Sequence, residues 1–301
     1  MSLDGLIHRR HPSNWELFLS SPLKYLARKI FAISTFRCQP ILNANSVRVI
    51  CISDTHNVHK SLPAVPSGDL LIHAGDLSNS GTKEEIHATL DWLQSHPHLH
   101  KIFIAGNHDC LFDEISSRVV VKAAYPDLIY LQDSSVSIDV RGRTLNIHGS
   151  PQTPRNGSWP FQYPRISTTQ VSSSDIWAKI PENTDILVTH GPPAHHLALE
   201  YGCLALLDAI WRIRPKLHVF GHIHAGRGTE TINWTKGQRK YERIAGGDGG
   251  WWDLLVLVIR TTPVLWKKRL DNKSHRTVLV NAASVGGFRD EKRNHAIVID
   301  I

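Results

Sequence analysis

Five short apolar runs in this chain each end in a segment that carries aspartate, asparagine or histidine. Apolar runs of this length, bounded by polar turns, predict buried strands. Ligand-binding residues of open α/β sheets gather at the carboxyl ends of the strands, so we expect these polar residues to converge. The five segments are Asp54–His56, Gly75–Asp76, Gly106–Asp109, His190 and Gly221–His224.

From Val47 onward, predicted strands alternate with predicted helices. Thr82, followed three residues later by Glu85, is a typical start of a helix, and this helix lies between two strands. Because the five polar segments must meet, we expect one domain over residues 46–301. Residues 1–45 are predicted to be an N-terminal helical extension. An insertion is predicted at about 228–275, since the strands on either side of it fit one sheet.

The chain has a net charge of +7 and a pI near 9.3, with the surplus in the first 40 residues and in Arg227 to Arg293. A solvated basic surface is favoured over an anionic partner, and no specific nucleic-acid motif is present. Four scattered cysteines, Cys38 among them, favour a reducing compartment. With no secretory signal visible, we expect a cytoplasmic location. The oligomeric state stays open.

Two apolar features allow more than one interpretation. Residues 21–33 form a basic amphipathic helix, for which packing on its own domain is favoured over peripheral membrane contact. Trp251 and Trp252, with the apolar run that follows, would form a lid, a dimer contact or the core of the insertion. The core is the favoured interpretation.

The five segments together supply seven oxygen and nitrogen donors, which suit two adjacent divalent ions that share one carboxylate. Asp76 is the predicted bridge. The first site would hold Asp54, His56 and His224, and the second Asn107, His190 and His222. Imidazole and carboxylate ligands favour transition metals. We place manganese first, and iron, zinc and nickel stay open.

His108 follows Asn107 directly and is predicted to lie beside the two ions without binding them. Asp109 is expected to hold its second ring nitrogen and so to fix the tautomer. A hydroxide that bridges two ions can attack phosphorus, and a neighbouring imidazolium can protonate the departing oxygen. The sequence therefore predicts hydrolysis of a phosphate ester, with His108 and Asp109 assisting the leaving group.

These segments resemble the five motifs of the calcineurin-like metallophosphoesterase superfamily. The stretches Gly149–Pro154 and Asp185–Pro193 are similar to the MPPED subfamily, the metallophosphoesterase-domain phosphodiesterases described from brain. The resemblance implies an α/β (α+β) metallo-dependent phosphatase fold, a four-layer αββα sandwich of two mixed β-sheets flanked by helices. It also implies a small phosphorylated substrate, such as a cyclic nucleotide or another phosphodiester.

Three further residues are candidate substrate contacts. His148 lies at a strand end before a proline-rich loop, and Asn156 and Trp159 lie within that loop. The subfamily also has asparagine and aromatic residues there, where they could stack on a base. Rigid packing of the loop is the alternative for each of them.

The chain departs from the subfamily pattern in two places. Vertebrate members have glycine where His222 stands, so a more complete second site is expected here. The insertion is not part of the subfamily pattern and would alter the substrate. Two alternatives therefore stay open: a specialised metal-dependent hydrolase or lyase acting on a small metabolite, and a nucleotide-binding regulatory protein with little turnover.

Overall fold

A computed structural model of the chain describes residues 13–36, 45–165, 175–199, 201–266, 276–287 and 289–301. Cys38 and parts of the predicted extension and insertion lie outside these ranges. The helices, in chain order, are α1 (Asn14–Ser20), α2 (Pro22–Phe36), α3 (Lys83–Ser95), α4 (Ile115–Ala124), α5 (Leu204–Ile213), α6 (Lys236–Gly246) and α7 (Trp251–Trp266).

The strands that build the two large sheets are β1 (Arg48–Ile52), β2 (Leu70–Ala74), β3 (His100–Ile104), β4 (Leu128–Tyr130), β5 (Ser134–Val140), β6 (Arg143–Ser150), β9 (Ile186–Thr189), β10 (Leu217–Phe220), β11 (Gly228–Asn233), β12 (Arg276–Asn281) and β15 (Ile297–Asp300). Two small pairs complete the set, β7 (Thr153–Pro154) with β8 (Gln162–Tyr163) and β13 (Val285–Gly286) with β14 (Lys292–Arg293).

The first sheet has the order β15-β1-β2-β3-β4. Strands β1 to β4 run parallel to their neighbours, and β15 pairs antiparallel with β1. The second sheet has the order β11-β12-β10-β9-β6-β5, in which β12, β10, β9 and β6 are parallel and β5 is antiparallel. Both sheets are mixed, as predicted.

The main hydrophobic core lies between the two sheets. It joins side chains of the first sheet, such as Val49 and Ile72, to side chains of the second, such as Ile147 and Val219. The other face of the first sheet packs on α3 and α4, and Phe103 belongs to that second cluster. Thr82 caps α3 by accepting from the Glu85 backbone N–H, as predicted. The predicted fold of two mixed sheets flanked by helices is confirmed.

The described residues fall into two compact units. One unit, within residues 40–232 and 275–301, contains both large sheets. The other, which we call the helical unit, lies within residues 1–39 and 233–274 and contains α1, α2, α6 and α7. The predicted extension and most of the predicted insertion thus share one compact unit. No helix among the described residues is long and apolar enough to cross a bilayer.

Candidate metal centre

The seven predicted ligands follow the carboxyl ends of five parallel strands, three in the first sheet and two in the second. Asp54 and His56 follow β1, Asp76 follows β2 and Asn107 follows β3. The remaining ligands come from the second sheet: His190 follows β9, and His222 and His224 follow β10. The site therefore forms where the carboxyl edges of the two sheets meet.

Four of these seven residues have left-handed backbone conformations. Their φ angles are 51° at Asp54, 39° at His56, 53° at Asp76 and 68° at His222. Residues other than glycine rarely adopt this region, and each such residue costs free energy. Strain of this kind persists where the surrounding structure fixes it, and it concentrates at functional sites. The backbone thus aims these side chains inward against its own local preference.

Two glycines next to the ligands serve different purposes. Gly75 has φ 94°, so the chain turns sharply before Asp76. Gly221 has no positive φ, but a Cβ atom there would overlap the carboxylate of Asp54 and the hydroxyl of Ser53. The absence of a side chain at Gly221 therefore lets two loops approach each other.

Asp54, His56 and His224 form one group whose candidate ligand atoms all lie within 4.8 Å of one another. The Nε2 atoms of His56 and His224 are 3.3 Å apart, and His224 Nε2 lies 3.5 Å from Asp54 Oδ1. The second ring nitrogen of His224 is 2.7 Å from Asp290 Oδ1 and donates to it. This bond leaves Nε2 of His224 turned toward the group.

Asp76, His190 and His222 form the second group, again within 4.8 Å. His190 donates from Nδ1 to the carbonyl of Ala74 at 3.0 Å, so its Nε2 faces inward. That atom lies 3.0 Å from Oδ1 of Asn107. The amide oxygen of Asn107 thereby joins the second group.

Asp76 lies between the two groups. Its Oδ2 atom is 3.6 Å from Nε2 of His56 and 3.3 Å from Nε2 of His190. Its Oδ1 atom accepts from the backbone N–H of His108 at 2.9 Å. The carboxylate of Asp76 therefore lies close to histidines of both groups.

Charges inside the cluster shift the pKa values of its members in opposite directions. Burial lowers the pKa of His190, but the carboxylate of Asp76 outweighs this effect and raises the pKa to about 9. Burial also lowers the pKa of His224, yet Asp54 and Asp290 raise it to about 9. Burial lowers the pKa of His222 to about 4. Without ions the carboxylates are thus balanced by protons on His190 and His224.

The donor set fits divalent transition metals. Carboxylate oxygens, imidazole nitrogens and an amide oxygen are ligands that manganese, iron, zinc and nickel accept. His190 and His224 each donate their Nδ1 proton to a neighbouring oxygen, an arrangement usual for metal-bound histidine. Each group would offer one ion three of its own ligands together with Asp76.

His108 lies at the rim of the cluster. Its ring is edge-on to that of His56, with 4.8 Å between centroids. Its Nδ1 donates to the backbone carbonyl of Asn79 at 2.7 Å, which fixes the tautomer and leaves Nε2 available. The ring of Trp159 lies 4.6 Å from the ring of His108.

The prediction that Asp109 holds the ring of His108 is wrong. The Asp109 side chain is fully buried and accepts from the backbone N–H groups of Leu77, Ser78 and Gly106 at 2.8 to 3.1 Å. It also accepts from the Ser78 hydroxyl at 2.6 Å. Asp109 therefore joins the loop after β2 to the loop after β3.

The three candidate substrate contacts lie in different surroundings. Trp159 is 44% exposed and borders His108, so it reaches the rim of the site. Asn156 is exposed in the same loop, and its carbonyl accepts from Gln162 at 3.2 Å. His148 is buried in β6, where its ring nitrogen pairs with Ser135 at 2.8 Å. His148 does not belong to the groups of possible metal ligands among the described residues.

Sequence reasoning missed two residues that orient the site. Asp290 precedes the small strand β14 and reaches the ring of His224 from far along the chain. Asn79 acts through its backbone carbonyl, so the type of its side chain does not indicate that it contacts His108. Neither residue belongs to a motif, because both contacts depend on tertiary structure.

Comparison with known proteins identifies the class. The model of the calcineurin-like phosphoesterase family matches residues 47–226. The chain therefore belongs to the calcineurin-like phosphoesterase family, and the predicted resemblance to its MPPED branch is confirmed.

Three relatives illustrate the similarity. Metallophosphoesterase domain-containing protein 1 of Homo sapiens is 37% identical over 209 residues, covering 60% of this chain and 61% of that protein. A UPF0046 protein of Caenorhabditis elegans is 35% identical over 226 residues, covering 64% of this chain and 77% of that protein. A protein of Emericella nidulans named probable rhamnogalacturonate lyase C is 44% identical over 314 residues. That match covers 99% of this chain but only 29% of the Emericella protein. The chain thus spans less than two thirds of the human and Emericella proteins.

Proposed function

We propose that this protein is a metal-dependent phosphoesterase that uses two divalent ions and acts on phosphodiesters more readily than on monoesters. The observation that carries the proposal is the position of Asp76, whose carboxylate lies 3.6 Å from His56 and 3.3 Å from His190. One carboxylate between two groups of ligands is what a pair of ions requires. Manganese is the first choice, with iron, zinc and nickel as alternatives.

When bound, two such ions lower the pKa of a water molecule and neutralise charge on a phosphoryl oxygen. Asp54, His56 and His224 would hold one ion, and the remaining ligands His190, His222 and Asn107 the other. Asp76 would serve both. His222 completes the second group, which supports turnover over the alternative of a regulatory nucleotide binder.

His108 supplies the proton that the departing alcohol needs. Because the Asn79 carbonyl can only accept, Nδ1 of His108 keeps its hydrogen, and the exchangeable proton is on Nε2. The backbone N–H of His108 is bonded to Asp76, so the ring is anchored beside the ligand groups. Asp109 contributes by holding the two loops together, as a positioning residue.

The residues at the rim of the metal-ligand cluster favour a small substrate that has a flat group. Trp159 offers an exposed aromatic face next to His108, where the second substituent of a phosphodiester could pack. A nucleotide is one such substrate. Asn156 is a neighbour in the same loop and a second candidate contact.

The test combines metal content with two substrates. We expect about two ions per chain by mass spectrometry, and manganese-dependent cleavage of bis-p-nitrophenyl phosphate that exceeds cleavage of p-nitrophenyl phosphate. Near two ions with neither compound cleaved would refute phosphoesterase activity on generic esters and favour the specialised-metabolite alternative.

The role of His108 has its own test. His108→Ala should keep the metal content and slow substrates with poor leaving groups more than substrates with p-nitrophenol. His100, at the amino end of β3 and so at the opposite edge of the sheet, offers a matched control, and His100→Ala should leave both rates unchanged. Equal slowing of both substrates by His108→Ala would contradict proton donation.

The name of the Emericella relative raises lyase activity as a second candidate. That name belongs to a protein of which this chain covers 29%. Incubation with rhamnogalacturonan, followed by absorbance of an unsaturated product, tests it, and we expect no product.

A further inference from the structure

Helix α7 carries large apolar side chains on its solvent side. Trp251, Trp252, Leu255 and Ile259 are 62%, 72%, 46% and 57% exposed. Their spacing places them along one side of the helix. We call these four residues the apolar stripe. The interpretation of Trp251 and Trp252 as the core of the insertion is therefore wrong.

The other side of α7 is the buried one. Leu254 and Leu257 are buried there, and α7 packs on α6 and α2 within the helical unit. Water-exposed helices of globular proteins normally carry polar residues on the side away from the core. Contiguous exposed apolar surface of this kind marks an interaction site. Helix α7 is apolar on both sides, so we expect its outer side to be an interaction surface.

The apolar side of α2 is already used inside the helical unit. Ala27 and Phe31 are buried, and the ring of Phe31 stacks on that of Tyr241 with 4.0 Å between centroids. Arg28 and Lys29 remain exposed. Helix α2 therefore offers positive charge at the surface, whereas α7 offers the apolar side chains.

Charge is divided very unevenly between the two units. Residues 1–39 and 233–274 contain fifteen Lys and Arg and six Asp and Glu, a net charge of +9. Since the whole chain carries +7, the other unit has a net charge of −2. The positive charge of the chain is thus a property of the helical unit.

We propose that the helical unit docks on the surface of an anionic lipid bilayer, with the apolar stripe inserted at the level of the headgroups. Tryptophan side chains prefer that interface, and clustered Lys and Arg are attracted to anionic lipids. Helices that lie on a membrane combine an apolar side with basic residues. A second copy of the chain is the less suitable occupant, because two units of +9 would repel each other.

Binding to vesicles tests the docking surface without relying on enzyme activity. The full chain is mixed with vesicles of phosphatidylcholine alone, or of phosphatidylcholine with 30% phosphatidylserine, and the bound fraction is measured by sedimentation. We expect binding to the anionic vesicles at 0.1 M NaCl, at least tenfold weaker binding to neutral vesicles, and a marked loss in 0.5 M NaCl.

Substitutions assign the binding to α7. The pair Trp251→Ser and Trp252→Ser should weaken binding to anionic vesicles at least tenfold. Leu99→Ser is the matched control, because Leu99 is 79% exposed in the other unit, and it should bind like the unchanged protein. Since all three side chains are exposed, the variants should keep their unfolding temperatures.

Three results would overturn the proposal. The first is that the unchanged protein does not bind anionic vesicles. The second is that the double tryptophan variant and Leu99→Ser lose vesicle binding equally. The third is that sedimentation velocity shows a dimer of the unchanged protein and a monomer of the double tryptophan variant. The last result would assign the apolar stripe to an interface between two copies.

Discussion

Replacing Asp109 with asparagine tests whether this residue supports the loops or takes part in proton transfer. Its two oxygens accept four hydrogen bonds: Oδ2 accepts from Leu77 and Gly106, and Oδ1 accepts twice from Ser78. An asparagine side chain has one acceptor oxygen and one donor nitrogen. If the amide nitrogen takes the place of Oδ2, it faces the backbone N–H groups of Leu77 and Gly106. If it takes the place of Oδ1, only the Ser78 backbone N–H faces a donor, because the Ser78 hydroxyl can accept from the amide and donate to the His108 carbonyl.

The expected cost follows from the second orientation, which leaves one buried donor without an acceptor. A buried donor that loses its acceptor costs about 1 to 3 kcal/mol, so Asp109→Asn should lower the free energy of unfolding by about 1 to 3 kcal/mol. The assay is urea unfolding at pH 8, because burial raises the pKa of Asp109 to about 6 and the carboxyl is ionised at that pH. Asp113, exposed and four residues further on, is the matched control. Asp113→Asn should change stability by less than about 0.5 kcal/mol.

The contrast with His108→Ala completes the test. If Asp109 only positions loops, Asp109→Asn should slow good and poor leaving groups alike. Unchanged stability, together with the selective slowing of poor leaving groups expected for His108→Ala, would refute the structural role and return Asp109 to the proton-transfer pair.

Four more predictions concern the metal centre and its rim. Asp76→Ala should abolish phosphoesterase activity and lower the metal content of both groups, and full metal content by mass spectrometry would contradict a shared ligand. Asp290→Ala should weaken metal binding about 10- to 100-fold in chelator competition, because His224 loses the carboxylate that orients it. His190 and His224 have pKa values raised to about 9, so ions that bind below this pH must displace their protons. Manganese affinity should therefore rise about tenfold per pH unit for each displaced proton between pH 7 and about 9. An affinity that does not change with pH would refute this linkage. Trp159→Ala should raise KM for an aromatic diester with little change in kcat, and the opposite pattern would remove Trp159 from substrate binding.

The strands and the five polar segments could be read from the sequence because each depends on neighbouring residues. Apolar runs fix the strands, and Thr82 with Glu85 marks the start of α3. Residues that follow parallel strands are forced to one edge of a sheet, so the meeting of Asp54 and Asp76 was predictable without coordinates. His190 follows a strand of the second sheet, and it joins them because the edges of the two sheets meet. The left-handed φ angles at Asp54 and Asp76 were not, because tertiary contacts impose them against local preference.

The sequence by itself determined the order of strands and helices, the class of the protein and the candidate ligands, since these are carried by residue type and spacing along the chain. Tertiary structure alone decided which partner each side chain meets. In the folded chain Asp109 accepts hydrogen bonds from the backbone of two loops, His108 donates to the carbonyl of Asn79, and His224 donates to Asp290. Tertiary structure also left Trp251 on the surface, because α7 can bury only one side against the helical unit. Hydrogen bonds and burial depend on distances between residues far apart in the chain, and periodicity contains no information about those distances.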